Sequence, residues 1–414
     1  MDEVTLTSWG NNITKEILLT DEVKNGVINF GNQNSYGDCF IPKSSYAIIN
    51  KTAVNNEHYY VASLTINELI SKHKFGLYGV PGKSNVTLGG AIASDTHGKD
   101  NIWGGSFEKN INELFIQLPS KEQITVSKKQ EPQIYESTIG GYGLSGSILG
   151  CNFHENLPKF TNSYIKSVST GSGIDDLLAN IKFKNKVFTV CWIDLLSKTK
   201  NWVIENYTEH NDINKTFYNI DNKEPRISFP FIGKNTLGTM SIINRLFLYK
   251  NKIFQRDIVS INKVLYPLGL LTDTRNLSNN RKIVQVQFSI PDSEENYLED
   301  LIDHLIYNQF PILCSLKKLE NSNKYKNLSF HQNGWAVAVD FPYKEFNNQS
   351  IRNFYKKLIE HNGKVYLAKD STLNRDEFRK MYPEYNDWIK VIKQIDPKNI
   401  YQSALSDRLG LKTW

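Results

Sequence analysis

Residues permissive for close ligand approach are densest between Gly79 and Phe107. There Gly79, Gly82, Gly89, Gly90, Gly98, Gly104 and Gly105 alternate with Ser84, Asn85, Thr87, Ala93, Ser94 and Ser106 around one imidazole, His97. Such a run bends too often for one helix or strand and leaves backbone N–H groups uncovered, which suits a phosphate or a flat cofactor. A glycine-rich surface turn is the competing reading of the same composition. His97 is the one titratable group of note, and a lone histidine is more often structural than catalytic. A second loop, Gly31-Asn32-Gln33-Asn34-Ser35-Tyr36-Gly37-Asp38, follows an apolar run at 26–30 that reads as a strand, an arrangement that presents backbone donors to a diphosphate. A third segment carries Gly141-x-Gly143-x-x-Gly146, which formally satisfies the dinucleotide fingerprint. Residues 147–153 read as strand rather than the long helix that fingerprint needs, and no βαβ unit surrounds them, so NAD(P) binding is rejected.

These loops need elements to hold them. Thr65 followed by Glu68 is a capping-box signature for a helix start. Apolar runs at 46–49, 59–62, 112–118 and 123–127 read as strands, and 21–24 reads as helical. Strand, strand, helix in that order fits a small α+β subdomain. From about Lys159 the glycines thin out and longer mixed segments begin, which reads as a second domain. In it, 187–194 is a buried strand whose Trp192 either lines a pocket or fills the core. The period-2 pattern at 283–291 sets Gln285 and Gln287 on one face, toward a pocket or toward solvent. Residues 275–281 read as a loop and 334–342 as a further strand. Lys369, in Tyr366-Leu367-Ala368-Lys369-Asp370-Ser371, reads as ending an apolar strand, where pairing with Asp370 is the structural alternative.

Five blocks in order, 31–38, 79–107, 137–148, 334–342 and 363–397, resemble the vanillyl-alcohol-oxidase-type (PCMH-type) FAD oxidoreductases. The resemblance implies an α+β flavoprotein with two domains: an FAD-binding domain of two subdomains and a substrate domain with an antiparallel sheet and flanking helices. The expected boundaries are 1–158 for the first part of the FAD domain, 159–363 for the substrate domain and 364–414 for the return to the FAD domain. By resemblance, FAD is contacted by Gly31, Asn32, Asn34, Ser35, Tyr36, Gly82, Asn85, Thr87, Gly89, Gly90, Ala93, Ser94, His97, Gly98, Ser106, Gly141, Gly143, Gly146 and Lys369. Lys369, His97 and Tyr36 are the implied catalytic set, and Gln285, Gln287, Trp192, Lys317 and Tyr366 the implied substrate contacts. No metal site is expected.

The implied reaction is hydride transfer from a secondary sugar hydroxyl to flavin N5. The branch resembled most acts on C2' of a polyprenyl-phosphoryl ribose, and a short-chain dehydrogenase partner then reduces the keto sugar toward arabinofuranose donors. Departures bear on substrate and linkage. Gln33 stands where a second glycine is usual, and Leu265, Ala336 and Ala338 where a tyrosine, an asparagine and, in some relatives, a cysteine are usual. Asn34 stands where covalently flavinylated relatives carry histidine, and an amide cannot form that bond, so FAD is expected to be non-covalent. An oxidase of a soluble sugar, alditol or aldonolactone, and a binding protein that has lost activity, are the rival readings.

The bulk properties limit other classes. A chain of 414 residues with 40% hydrophobic content can bury a sizeable core. A net charge of +6 spread along the chain, without a recognisable module, argues against nucleic-acid binding. Four widely spaced cysteines without CxxC spacing fit free thiols in a reducing compartment. No signal peptide or membrane-spanning run is read, so a cytoplasmic protein is expected. Between 234 and 263, lysines and arginines alternate with large apolar residues, a mixture that suits peripheral contact with an anionic membrane or an ordinary solvated face.

Overall fold

The alternation at 283–291 is realised as the strand Ile283–Pro291, which lies inside an eight-stranded sheet. The computed structural model describes residues 2–48, 59–73, 76–181, 187–210, 237–267, 278, 281–320 and 328–414. Across the large sheet the strands run Arg256–Ser260, Ser163–Ser172, Asn201–Glu209, Phe188–Ile193, Leu313–Leu319, Gly334–Pro342, Ile283–Pro291 and Lys364–Val365, with every pairing antiparallel. A four-stranded sheet, ordered Tyr60–Val61, Ser147–Phe153, Ile111–Gln117 and Gln123–Ser127, is also antiparallel. A third sheet joins Glu3–Thr7, Thr14–Thr20 and Tyr46–Ile48. With helices packed between and beside these sheets, the fold is α+β. Ser147–Phe153 pairs antiparallel with its neighbours, so the 141–146 glycines open no parallel βαβ unit.

One face of the large sheet is apolar and sits in the core. Val286, Phe288 and Ile290 share that core with Val337, Val339 and Phe341, with Leu301 and Ile302 of helix Leu298–Ile306, and with Phe354 and Leu358 of helix Asn348–Glu360. The opposite face is polar, and it is the face that matters below. Register makes Gln285 the partner of Asp340, Gln287 the partner of Ala338, and Ser315 the partner of both Ala338 and Trp192. Directly opposed residues of an antiparallel pair share a face. One surface therefore carries Gln285, Gln287, Asp340, Ser315, Lys317 and Trp192.

The chain ends by packing back on its beginning. Tyr401 bridges Val27, Ser403 bridges Pro42, and the Tyr401 hydroxyl lies 2.7 Å from Ser147 Oγ.

The structure corrects three local expectations. Residues 21–24 form bends rather than a helix: the Thr20 hydroxyl accepts the Glu22 N–H, a local turn that competes with a helical start. The run at 26–30 is not a strand of its own, since only Val27 and Asn29 make single bridges. Lys369 does not end a strand, because pairing stops at Val365 and the chain turns at once, with Lys369 N–H donating to the Tyr366 carbonyl at 2.9 Å. The 275–281 loop lies outside the described residues except for Ser278 and Arg281. The Thr65 capping box is present: Thr65 N–H donates to Glu68 Oε2 at 2.8 Å and Glu68 N–H to Thr65 Oγ1 at 3.1 Å.

Candidate active site

The three glycine-bearing segments meet. The side-chain amides of Asn32 and Asn34 both donate to the Asn85 carbonyl, at 2.8 and 3.2 Å, which ties the 31–38 loop to the 79–107 run. Gly31 lies against Thr87, whose hydroxyl caps helix Leu88–Ala93 by accepting the Gly90 N–H. The Tyr142 N–H donates to the Ala93 carbonyl at 2.9 Å, bringing in the third segment. Gln33 takes a left-handed φ of 54° and its side chain accepts the Thr7 N–H at 2.7 Å. A glutamine thus holds a conformation that glycine adopts more readily. Beside Gly82 there is room: a Cβ there would meet only Lys99 Nζ, at 3.6 Å. Among the described residues, the N–H groups of Asn32, Gln33 and Asn34 donate to no protein acceptor.

His97 lies on the same glycine-bearing run. Lys317 Nζ is 3.0 Å from its Nδ1, and the Gln287 side-chain amide is 2.6 Å from its Nε2. A protonated Lys317 can only donate, so Nδ1 accepts and Nε2 carries the proton; the Gln287 amide, whose nitrogen faces that Nε2, must turn its oxygen to the ring to accept. His97 is then neutral. Burial, and after it the charge of Lys317, pulls its pKa well below the ordinary histidine value. Tyr366 and Phe330 pack on the imidazole at ring distances of 5.5 and 6.1 Å, and the Tyr366 hydroxyl donates to the Ser94 carbonyl at 2.8 Å.

Lys369 comes to the same place from the C-terminal segment. Its Nζ lies 4.1 Å from the centroid of the Tyr36 ring, a cation–π contact. Burial lowers Lys369 to about 8 while Asp340 holds it up. Burial and the charge of Lys369 lower Lys317 to about 8. Lys99, whose Nζ donates to the Leu265 carbonyl, is lowered to about 7 by burial and by Lys317. Two carboxyls answer these cations: burial raises Asp100 and Asp340 to about 6, and the Gln285 amide donates to Asp340 at 2.6 Å. The site is a cation-rich wall of Lys99, Lys317 and Lys369 around a neutral imidazole. Such a wall favours a negative charge appearing on a bound group.

Arg408 fastens the wall to the loop. Its guanidinium donates to both carboxylate oxygens of Asp38 at 2.9 Å and lies 2.9 Å from Oδ2 of Asp370. The two backbones are so close that a Cβ at Gly37 would sit 1.9 Å from the Asp370 carbonyl. This clasp holds Tyr36 and Lys369 in register.

The other residues singled out in the sequence sit as follows. Ser106 bridges His97 backbone to backbone. The Ser35 carbonyl accepts the Trp9 N–H at 2.8 Å. Gly98 backs onto Asp100 and Val80, and Gly143 faces Ile28. Gly89, Gly141 and Gly146 press on Ala62, Ser137 and Gln117, so protein fills the space beside them. Trp192 lies on the polar sheet face but makes its ring contact with Phe247, at 4.9 Å. Sequence reasoning missed Lys99, Asp100, Asp340 and Arg408 as members of the site. Lys99 and Asp340 lay inside quoted motifs, whereas Arg408 has no local signal.

The sequence matches no protein-family model. Among curated proteins, it is 24% identical over 420 residues to the decaprenylphosphoryl-beta-D-ribose oxidase of Mycolicibacterium smegmatis, covering 94% of this chain and 90% of that protein. It is also 21% identical over 357 residues to an uncharacterized protein in the mprA 5' region of Streptomyces coelicolor, covering 80% of this chain and 95% of the relative. Along nearly its whole length, then, the chain is similar to a decaprenylphosphoryl-β-D-ribose oxidase.

Proposed function

We propose that the chain is an FAD-dependent oxidoreductase that oxidises a secondary sugar hydroxyl, C2' of a polyprenyl-phosphoryl-β-D-ribose, to the 2-keto sugar on the way to arabinofuranose donors. One observation carries the reading: segments as distant as residues 31–38, 79–98, 317 and 369 converge, so that the glycine-bearing loops meet the His97, Lys317 and Lys369 cluster. The similarity to an oxidase of a lipid-linked ribose supports the same substrate class.

The residues fit FAD. The backbone N–H groups at 32–34, which donate to no acceptor among the described residues, and the exposed backbone at Gly82 suit the diphosphate and a flat ring system. Asn34 spends its amide on the Asn85 carbonyl and has no atom for a flavin bond, so the cofactor is dissociable. Bound FAD supplies the hydride acceptor, N5. Lys369 and Lys317 supply the field for the alkoxide that develops as the hydroxyl proton leaves, a preorganised interaction contributing about 3 kcal/mol. Gln285 and Gln287, held by Asp340 and His97, present amides to the sugar hydroxyls from one sheet face. The 2-keto product is a substrate for a short-chain dehydrogenase partner. Leu265, Ala336 and Ala338 favour a second reading, a soluble sugar, alditol or lactone as substrate, because they replace larger or polar pocket residues of the resembled enzymes.

The test is a visible spectrum of the purified protein before and after acid precipitation. Yellow colour that moves to the supernatant is the expected result. Colour retained in the pellet contradicts the Asn34 argument, and a protein that stays colourless in added FAD contradicts the reading as a whole. Turnover with a soluble sugar equal to that with prenyl-phosphoryl ribose would favour the second reading.

A further inference from the structure

Helix Leu237–Ile253 is packed inside out. The stripe Met240, Asn244 and Asn251, at helical spacing, faces the protein and is buried, while Phe247, 38% exposed, meets Trp192 edge-on. Asn244 donates to Asp194 Oδ1 at 2.6 Å, and Asn251 to the Phe247 carbonyl at 2.9 Å. The opposite stripe, Ile242, Leu246, Tyr249 and Ile253, is 57, 64, 65 and 55% exposed. Phe254 just beyond it and Ile258 on the sheet-edge strand Arg256–Ser260 add two more exposed apolar side chains. A surface helix in water normally shows the reverse pattern.

Charge narrows what covers this stripe. Every charged residue of the helix is basic, Arg245, Lys250 and Lys252, and all three are exposed. Arg256 continues the basic edge, and Asp257 is its one exposed acidic neighbour on the following strand. Large exposed apolar side chains framed by cations are the chemistry of an anionic lipid surface. The helix also touches the site: Met240 shares an apolar cluster with Tyr36, the residue under Lys369, and Phe247 packs on Trp192 of the polar sheet face.

We infer that the outer stripe of helix Leu237–Ile253, with Phe254 and Arg256, docks the protein on an anionic membrane surface and sets the candidate active site beside the lipid. The role, delivery of a lipid-anchored sugar, rests on the function proposed above. The docking itself does not.

The test is co-sedimentation of the full chain with vesicles of phosphatidylcholine mixed with phosphatidylglycerol, free of substrate, against vesicles of phosphatidylcholine alone. Binding to the mixed vesicles that weakens with added salt is expected. Leu246→Asp with Lys250→Glu should weaken it about tenfold or more, since each cation near the surface contributes about 1 kcal/mol. Lys390→Glu, an exposed lysine on helix Tyr385–Ile395, should leave it unchanged. Equal binding to both vesicle types, no binding, or a doubly substituted protein that is folded by circular dichroism and still binds fully would overturn the inference. So would a wild-type dimer that the double substitution splits without changing vesicle binding, since the stripe then pairs copies of the chain. Flavin content, read on the same preparation, separates failure of this inference from failure of the functional reading.

Discussion

Lys317 and His97 form a hydrogen-bonded pair at 3.0 Å in which the lysine is the cation and the imidazole is neutral. Removing the cation should therefore raise the histidine's pKa. In Lys317→Met, the ring remains buried but loses its nearest positive charge, so its titration moves up toward the ordinary value. Two-dimensional NMR of labelled histidine reads this directly, and an unmoved His97 resonance would mean the pair does not exist in solution.

The alkaline limb of the pH profile belongs to the lysines. Lys317 and Lys369 are protonated below about pH 8 and lose their charge above it, so flavin reduction by substrate should fall as pH rises through that value. Asp340 supports the charge on Lys369, so Asp340→Asn should shift the limb to lower pH. A limb that stays in place in Asp340→Asn would separate Asp340 from the lysine's titration.

Arg408 holds two buried carboxylates, and its loss strands both. Arg408→Ala should cost about 3–5 kcal/mol in urea unfolding. It should also lower flavin retention, because the 31–38 loop is freed from the Lys369 turn. A cost below about 1 kcal/mol would show that solvent or a shifted side chain replaces the guanidinium.

Gly82 is exposed, and a Cβ there would meet only Lys99 Nζ, at 3.6 Å. Gly82→Val should fold with the apoprotein's thermal midpoint nearly unchanged and yet retain flavin at least tenfold less tightly. Full flavin content in that variant would place the cofactor elsewhere.

Local physics made much of the frame readable. The Thr65 and Glu68 pair, the apolar runs that form the strands Ile111–Gln117 and Gln123–Ser127, and the alternation of Ile283–Pro291 each fix an element within a few residues. The polar side of that last strand needed the structure, because Gln285 and Gln287 acquire meaning only from Asp340 and His97 opposite them. Residues 21–24 misled because helix-forming side chains were present while the Thr20 hydroxyl offered the backbone a turn. Arg408 was invisible because its partner Asp38 is 370 positions away, and no pattern within a window reports such a pair. Lys369 stood out as a motif, yet its place over Tyr36 depends on a turn that starts at Val365, earlier than the apolar run suggests.

Anaerobic mixing of the flavin-loaded protein with a prenyl-phosphoryl-β-D-ribose, followed by visible absorbance, tests the central claim most directly. Bleaching of the oxidised flavin with formation of a 2-keto sugar is expected, and Lys369→Ala should slow it about a hundredfold or more. A flavin that stays oxidised with this substrate, or one that Lys369→Ala reduces at the wild-type rate, would contradict the assignment of the lipid-linked ribose or of the lysine.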